Sequence, residues 1–483
     1  MSDATTPAGL QWETVIGLEV HCQLATTTKL FCGCPTRFGL APNAATCPVC
    51  LGHPGTLPAL NAAAVRLAVR VGLALGCELQ TVSVFARKSY FYADLPKGYQ
   101  ITQYERPICL GGAVPVDLGD LTREFPLTRI HMEEDAGKLI HGERGTEIDL
   151  NRAGTPLIEI VSEPTLRSGD EAAAYLKELR AIVMALGASD GHLEEGSFRC
   201  DANVSVRRPG AALGTKVELK NLNSFGFVKR AIEFEVGRQT AALEAGGSIV
   251  QETRLWDEAA GRTRAMRGKE DAHDYRYFPD PDLLPLILPS EIVESERAAL
   301  PELPGQRRAR YRDALGLGRY DAEVLTADEE TSRYYDAVLA TGADPKTAAN
   351  WVNTELKGRL DGRPLSEAPV TAEALGQLLA ALASGRISGK LAKDGFARMC
   401  AGASVASALA AVGEQVSDVS AIDAAVSAAL DATPSEVAAF HGGKTKVVGF
   451  FVGQVMKAMK GRANPELVNS RLLVLLQARR QPQ

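Results

Sequence analysis

The chain has 483 residues, of which 45% are hydrophobic and 23% are charged, and its formal net charge is −6. These values are typical of a soluble globular protein with two to four domains. No apolar run is long enough to span a bilayer, and the polar N-terminal segment has neither a signal core nor an Arg-rich presequence. The sequence therefore predicts a cytoplasmic protein without a membrane segment, and its nine cysteines fit a reducing compartment.

The first predicted element is a strand over residues 15–24, in which apolar and polar residues alternate. Successive side chains of a strand point to opposite faces, so one face is predicted to lie in a core while Glu19 and His21 lie on the other. A carboxylate and an imidazole at this spacing are typical metal ligands. A merely solvated face is the alternative, because antiparallel sheets commonly have one face in water.

Two pairs of cysteines follow this strand, and we call them the cysteine quartet. Its members are Cys32, Cys34, Cys47 and Cys50. Two thiol pairs, each in a tight turn, can close a tetrahedral zinc site, and four sulfur ligands would leave no open position, so the zinc ion would be structural. Reduced structural thiols are the alternative.

Basic and aromatic residues are interleaved twice, after a helix predicted over residues 62–75. The first stretch runs from Arg87 to Tyr104 and includes Lys88 and Lys97, and the second is 274–279. Such a surface can stack a nucleobase and neutralise phosphate. Aromatic packing at a sheet edge is the alternative for both stretches.

Carboxylates are concentrated in the next two predicted strands, 128–133 and 156–162. Glu133 and Glu134 stand at the end of the first strand, and Glu159 lies in the middle of the second, otherwise apolar strand. Clustered or buried carboxylates are unfavourable unless they are paired or bound to a cation. A buried salt bridge for Glu159 and a solvated turn for the acidic cluster remain open.

Two further strands repeat the alternation, after a helix that begins with a capping box at 168–171 and ends at Gly187. Strand 200–206 places Asp201 and Asn203 on one face, and strand 216–220 does the same for Glu218. Acid, amide and imidazole groups on three strands predict a sheet that binds a charged ligand.

The chain becomes Ala- and Leu-rich after residue 290, with helical periodicity almost throughout. Residues 441–483 hold eight Lys or Arg and one acid, a net charge of +7 that leaves −13 for the rest. This asymmetry indicates a polyanion contact at the C-terminal end, with a solubilising tail as the alternative. We predict the α+β class and three parts: 1–293, a catalytic domain; 294–409, a helical linker domain; and 410–483, a helical tail domain.

Six motifs together resemble one known family. They are Trp12–His21, His131–Lys138, Asp149–Glu159, Lys220–Phe225, Phe451–Lys457 and Gly461–Pro465. They resemble the GatB/GatE family of tRNA-dependent amidotransferase B subunits, over essentially the whole chain, and the full tail favours the GatB branch. The resemblance implies a cradle related to glutamine synthetase and built on an antiparallel sheet, followed by a helical domain and a small helical tail domain that contacts tRNA.

The activity implied by the resemblance is the repair of misacylated tRNA in two steps. ATP phosphorylates the side-chain carboxylate of Glu on tRNA(Gln) or Asp on tRNA(Asn), and ammonia then displaces the phosphate. The implied partners are a glutaminase/amidase (A) subunit, which supplies ammonia, and a small (C) subunit. No Gly-x-Ser-x-Gly elbow or Ser/Gly-rich amidase signature occurs in this chain, which agrees with an external ammonia source.

The resemblance also implies roles for individual residues. The residues implied to bind Mg²⁺, for which Mn²⁺ could substitute, are His21, Glu134 and Glu159. Those implied to line the same pocket are Glu19, Asp201, Asn203 and Glu218, with Lys88 facing phosphate. Among all of these, Lys88, Glu134, Asp201 and Glu218 are expected to be catalytic, and Glu19, Asn203 and Lys88 to bind ATP. The strand pattern by itself favours Glu133 as readily as Glu134. The cysteine quartet occurs in part of the family, which supports a structural zinc.

Two other functions fit parts of the sequence. The chain could be a non-catalytic RNA-binding scaffold, although acids on a sheet face repel a phosphate backbone unless a cation intervenes. It could also be a stand-alone ligase acting on a small substrate, which predicts activity without tRNA.

Overall fold

The computed structural model describes residues 12–119, 121–142, 145–266, 275–416, 418–459 and 461–479. The chain forms two compact units, Met1–Arg307 and Arg308–Gln483. The strands belong to the first unit, whereas the described part of the second unit is helical. The domain boundaries predicted after residues 293 and 409 stay predictions.

Most strands of the first unit join one large sheet. Their bounds are β1 Glu13–Gln23, β2 Glu78–Leu79, β3 Val82–Ser83, β4 Phe85–Ser89, β5 Tyr99–Gln103, β6 Cys109–Leu110, β7 Ala113–Leu118, β8 Leu121–Glu134, β9 Lys138–Gly142, β10 Gly145–Asp149, β11 Pro156–Ser162, β12 Phe198–Arg207, β13 Val217–Lys220, β14 Thr253–Asp257, β15 Arg262–Ala265, β16 Phe278–Pro279 and β17 Leu286–Ile287.

The large sheet has the order β15–β14–β13–β12–β1–β11–β8–β5–β4–β16, with β6 and β7 paired to β8 and β2 paired to β6. Neighbouring strands are antiparallel except β13 and β14, which are parallel. Two small ribbons, β9–β10 and β3–β17, complete the strands. The predicted α+β class is confirmed; the relation of the sheet to glutamine synthetase stays a prediction.

One face of the large sheet lies in the hydrophobic core. On β1, the alternate residues Ile16, Leu18, Val20 and Cys22 are fully buried, as the alternation predicted. Three helices of this unit are α1 Ala62–Ala74, α2 Gly169–Ala185 and α3 Phe225–Glu244. Helix α2 packs against α3, and α3 packs against β12. With one face covered in this way, the other is left for polar residues.

The start of α2 follows the predicted capping pattern, with a small change. Ser168 Oγ accepts a hydrogen bond from the amide of Glu171 at 3.1 Å. The carboxylate of Glu171 accepts from the amide of Arg167 at 2.8 Å, one residue before the cap. Both bonds satisfy backbone donors that have no partner within the helix.

Helices follow β17 to the end of the described chain. They are α4 Ser290–Ala298, α5 Pro304–Asp313, α6 Arg319–Leu325, α7 Glu329–Leu339, α8 Pro345–Asn350, a π-helical segment Trp351–Leu356, α9 Lys357–Leu360, a 3₁₀ turn Leu365–Glu367, α10 Ala372–Ala383, α11 Gly389–Cys400, α12 Val405–Val412, α13 Val419–Ala432, α14 Pro434–His441, α15 Val447–Ala458 and α16 Pro465–Ala478. The second unit has two separate hydrophobic clusters, one up to α12 and one formed by α13, α15 and α16.

Candidate active site

The face of the large sheet opposite the core carries the polar residues, and we call it the polar face. Along the sheet it includes Lys88 on β4, Gln100 and Thr102 on β5, His131 and Glu133 on β8, Glu159 on β11, Glu19, His21 and Gln23 on β1, Arg199, Asp201 and Asn203 on β12, and Glu218 and Lys220 on β13. The strand register therefore gathers most residues that the sequence singled out.

Two imidazoles and two carboxylates form the centre of the polar face, here called the His–Glu cluster. Its members are His21, His131, Glu133 and Glu159. Residue Glu159 lies opposite His21 of β1 and opposite His131 of β8, because β11 runs between those strands. A Glu159 carboxylate oxygen is 3.5 Å from Nε2 of His21 and 3.3 Å from Nε2 of His131. Glu133 is 3.7 Å from the former ring and 3.8 Å from the latter.

The charges of the cluster depend on one another. Burial by itself would lower the pKa of both imidazoles, but the carboxylates stabilise the protonated rings and raise both values, that of His131 to about 9. Burial would raise the pKa of Glu159, yet its hydrogen bonds and charge interactions with both rings, His131 foremost, bring it well below its ordinary value. A bound cation would require neutral imidazoles and would replace these protons as the source of positive charge.

The cluster fits a divalent cation. One ligand atom from each of His21, Glu133 and Glu159 lies within 4.8 Å of the others. The side chains of His21 and Glu159 are 23% and 13% exposed, so solvent reaches this side of the cluster, while Glu133 is only 3% exposed. Carboxylate oxygens suit Mg²⁺, and an imidazole in the set makes Mn²⁺ equally suitable.

Glu134 lies outside the His–Glu cluster, so the geometry does not support its expected place beside His21. Adjacent residues of a strand point to opposite faces, and Glu134 leaves β8 on the side away from Glu133. Its carboxylate accepts hydrogen bonds from the amide of Ile101, at 2.9 Å, and from the ammonium group of Lys97. Glu133 takes the position beside the imidazoles instead.

The expected pocket residues of β1, β12 and β13 lie next to the cluster on the same face. Asn203 donates to Glu19 at 2.9 Å, and Lys220 lies 2.7 Å from Asp201 and 3.0 Å from Glu218. Burial, and after it the charges of neighbouring acids, raise the pKa of Glu19. The ammonium group of Lys220 offsets part of the negative charge of this surface. Its pairing with Asp201 and Glu218 was not predicted from the sequence.

Lys88 stands at the other end of the polar face, on β4. Its Nζ lies 4.8 Å from the ring centre of Tyr275, and it makes no ion pair with any described residue. Burial would lower the pKa of Lys88, but the charge of Glu133, with smaller contributions from Tyr277, Tyr275 and Glu159, raises it above the ordinary value. Lys88 is therefore a partly buried cation on the polar face.

Arg199 and Asp135 brace the polar face beside His21. Asp135 accepts two hydrogen bonds from Nη2 of Arg199, at 2.9 and 3.0 Å, and one from Gln23 at 2.9 Å. Burial would raise the pKa of Asp135, but the charges of Arg199 and Arg152 and the hydrogen bond from Gln23 together lower it. Asp135, the third acid of the 133–135 run, is therefore buried and paired with Arg199.

The two basic and aromatic stretches pack against each other, which agrees with the alternative of aromatic packing at a sheet edge. Tyr104 and Tyr277 are stacked, with ring centres 4.0 Å apart and planes inclined by 6°. Lys97 is 8% exposed and paired to Glu134, so it does not lie on an open surface. Asp274, the first residue of the second stretch, lies outside the described residues.

The four sulfurs of the cysteine quartet lie within 4.8 Å of one another. The amide of Cys47 donates to Cys50 Sγ at 3.2 Å, as in a tight turn that supports a thiolate. The hydrogen bond from Cys32 lowers the pKa of Cys50 to about 4, with the Cys47 amide and the Lys29 ammonium acting in the same direction against burial. This donor set fits tetrahedral zinc.

Two arginines of the basic C-terminal segment are paired with acids of α13. Arg471 lies against Asp423, and Arg479 lies 2.6 Å from Asp431. Two further basic residues, Lys460 and Arg480, lie outside the described residues. Part of the predicted positive charge is therefore neutralised within the unit.

His131 is the member of the His–Glu cluster that the sequence reasoning did not assign a role. It is only 3% exposed, and it lies between the two carboxylates. The signal was available, because His131 and Glu133 share a face of one strand. What was lacking was the register that places β8 beside β11.

The fold and the site together define a class: an α+β protein with a sheet face that carries carboxylate and imidazole groups and a helical C-terminal region. The GatB/GatE catalytic domain matches residues 14–294, and the GatB domain matches residues 333–476. The chain belongs to the GatB/GatE family. No helix of the described ranges is both long and apolar enough to cross a membrane.

Relatives that match this chain over nearly their whole length share one name. The B subunit of the aspartyl/glutamyl-tRNA(Asn/Gln) amidotransferase of Geobacter sulfurreducens is 54% identical over 96% of this chain and 99% of its own length. Those of Geotalea daltonii and Thioalkalivibrio sulfidiphilus are 55% and 53% identical, each over 97% of this chain and 100% of the relative. The similarity extends through the tail and agrees with the GatB branch.

Proposed function

We propose that this chain uses ATP to phosphorylate the side-chain carboxylate of Glu on tRNA(Gln), Asp on tRNA(Asn), or both, and then amidates it with ammonia. The observation that carries this proposal is the His–Glu cluster on the polar face, with Lys88 nearby. The names of the relatives support the tRNA substrate and the amide product.

The chain's own residues would perform distinct parts of this reaction. His21, Glu133 and Glu159 would hold Mg²⁺ or Mn²⁺, which neutralises phosphate charge when it is bound. The ammonium group of Lys88 would share that charge from β4 and orient the phosphate. A carboxylate is a weak nucleophile in water, so positioning and neutralisation of the phosphate are what the protein must supply.

The acidic residues of β1, β12 and β13 would act on the second step. Glu19, Asp201 and Glu218 form a negative surface that attracts ammonium, and one of them would accept its proton before attack. Asn203 would orient Glu19 through its hydrogen bond. We propose Asp201 and Glu218 as catalytic residues, with Glu19, Asn203 and Lys88 contacting ATP.

The proposed partners follow from the chemistry. Ammonia would come from a glutaminase/amidase (A) subunit, and a small (C) subunit would complete a heterotrimer that acts in the cytoplasm. The names of the relatives, which describe each as one of several subunits, support an assembly of this kind. The structural zinc of the cysteine quartet belongs to the same proposal.

The test compares two neighbouring carboxylates of β8 in the reconstituted complex. Glu133→Gln is expected to reduce phosphorylation of the aminoacyl group by about 100-fold or more, because it removes a cation ligand. Glu134→Gln alters a carboxylate on the opposite face and is expected to keep the phosphorylation step. Transfer of labelled γ-phosphate to misacylated tRNA is measured without an ammonia donor, and tRNA binding is measured in parallel. Unchanged phosphorylation by Glu133→Gln would refute the cluster's role.

A non-catalytic scaffold is the second candidate, in which the cysteine quartet and the basic C-terminal segment hold tRNA while a partner performs the chemistry. It predicts no cation-dependent ATP consumption with misacylated tRNA. A stand-alone ligase predicts ATP consumption in the absence of tRNA. The assay with Glu-tRNA(Gln) and Asp-tRNA(Asn) in parallel separates these functions and identifies the substrate.

A further inference from the structure

The side chain of Lys29 is completely buried beside the cysteine quartet. It is 0% exposed, and its Nζ donates to the carbonyl of Ala45 at 2.7 Å and that of Leu150 at 3.3 Å. Its third contact is with Cys50 Sγ, at 3.6 Å. A cation is thus enclosed in the same space as the four thiols.

Lys29 also joins the two halves of the quartet. Its backbone amide donates to the carbonyl of Cys34 at 2.9 Å, in the first cysteine pair. Its side chain reaches Cys50, in the second pair. Gly154 lies beside the same space, since a Cβ there would be in ordinary contact with Lys29 Cδ at 3.5 Å, Cys50 Cβ at 3.6 Å and Glu134 Oε2 at 3.8 Å.

A buried ammonium group needs a negative partner. Lys29 makes no ion pair with a carboxylate among the described residues, and carbonyl groups are neutral. An unpaired buried charge is strongly unfavourable. Four thiolates on Zn²⁺ carry a net charge of −2. A zinc-loaded quartet would therefore need a positive charge at the place where the buried ammonium group needs a negative one.

We propose that the Lys29 ammonium group is the outer-sphere cation of the cysteine quartet, where it neutralises part of the charge of a zinc tetrathiolate through Cys50. This inference rests on the proposed zinc. Lys29 thereby stabilises the metal-loaded form more than the metal-free form, because the four thiolates bound to zinc carry the larger negative charge. It is a positioning residue, because the sulfurs alone bind the ion.

A charge role and a packing role predict different results for Lys29→Met, which keeps a long unbranched side chain. If Lys29 only fills space, the substitution changes the stability of both forms equally and leaves zinc affinity unchanged. If it neutralises the thiolates, zinc affinity falls by about 10-fold or more while the metal-free form is not destabilised. Lys29→Gln, which keeps a hydrogen-bond donor without the charge, is expected to behave in the same way.

The experiment uses the full-length chain, its zinc content, zinc transfer to a chelator of known affinity, and melting with and without zinc. Arg37→Met is the matched control, because it removes an exposed cation from the same loop. Wild-type-like zinc affinity in Lys29→Met overturns the role of Lys29 alone. A wild-type chain that binds no zinc overturns the zinc proposal as well.

A measurement on the wild-type chain tests the proposal even if the variants fail to fold. In the zinc-loaded chain, an amine-reactive label is expected to leave Lys29 unmodified and to modify the exposed Lys138. Removal of zinc is expected to increase labelling of Lys29 and leave that of Lys138 unchanged. Labelling of Lys29 that is the same with and without zinc overturns the proposal.

Discussion

Glu159 holds two imidazoles at once because its strand lies between theirs. His21 is on one side of β11 and His131 is on the other, and each ring is within 3.5 Å of the same carboxylate. One acid in an apolar strand is therefore paired twice, which offsets part of the cost of burying it. The same arrangement leaves His131 as the most enclosed ring of the cluster, and its role is testable.

We expect His131→Gln to raise the Mg²⁺ or Mn²⁺ concentration for half-maximal phosphorylation about 10- to 100-fold, because the ring fixes both ligand carboxylates. The measurement is a cation titration of γ-phosphate transfer. His141→Gln, at an exposed position of β9, is the matched control. Equal cation dependence in the two variants would show that His131 does not support the site.

Helix α3 is tied to the sheet by a buried carboxylate. Glu235 is 0% exposed and accepts hydrogen bonds from Arg238 at 2.6 Å, from Gln239 at 2.9 Å and from Thr263 of β15 at 3.1 Å. No sequence pattern indicated this burial, since a glutamate among other charged residues of a helix is normally in water. The bonds hold α3 against the edge of the sheet that carries the acidic residues.

Glu235→Ala is expected to destabilise the first unit by about 3 to 5 kcal/mol, because it leaves buried donors without a partner. The melting temperature of the chain should fall by several degrees, as measured by calorimetry. Glu233→Ala, which removes a 53% exposed acid of the same helix, should change it little. A similar, small shift in both variants would contradict the importance of the buried contacts.

Positive charge is concentrated in the C-terminal segment of the sequence, and the folded tail pairs part of it with acidic residues. Arg471 and Arg479 are paired with acids of α13. By contrast, Lys444, Lys446 and Lys457 are exposed and make no ion pair with a described residue. These three lysines are described cations of the tail that are available to a phosphate backbone.

The variant in which Lys444, Lys446 and Lys457 are all changed to Gln should bind tRNA more weakly. The slope of log K against log salt should decrease by about 2 to 3, because each lost phosphate contact releases about one counterion fewer. Binding is measured at salt concentrations from about 50 to about 200 mM, a range over which such slopes are resolved. Arg479→Gln is the control, and an unchanged slope in the triple variant would argue against tRNA contact by these lysines.

Much of the fold and part of the site could be predicted, since they depend on local pattern. Alternation placed Glu19 and His21 on one face of β1, and the capping box located the start of α2. The strand pattern could not decide whether Glu133 or Glu134 lies beside the imidazoles, because both stand at the end of one strand and the motif includes both. Lys97 was expected on a surface, and its burial against Glu134 depends on segments that meet only in the fold.

The sequence by itself determined which face of each strand is polar, the spacing of the cysteine quartet and the membership of the family, because these are properties of neighbouring residues. The tertiary structure decided which polar residues meet. The order β8–β11–β1 brings His131 and Glu133 to His21, and the enclosure of Lys29 brings a cation to the thiols. Strand register and burial join residues far apart in the chain, and no local pattern specifies them.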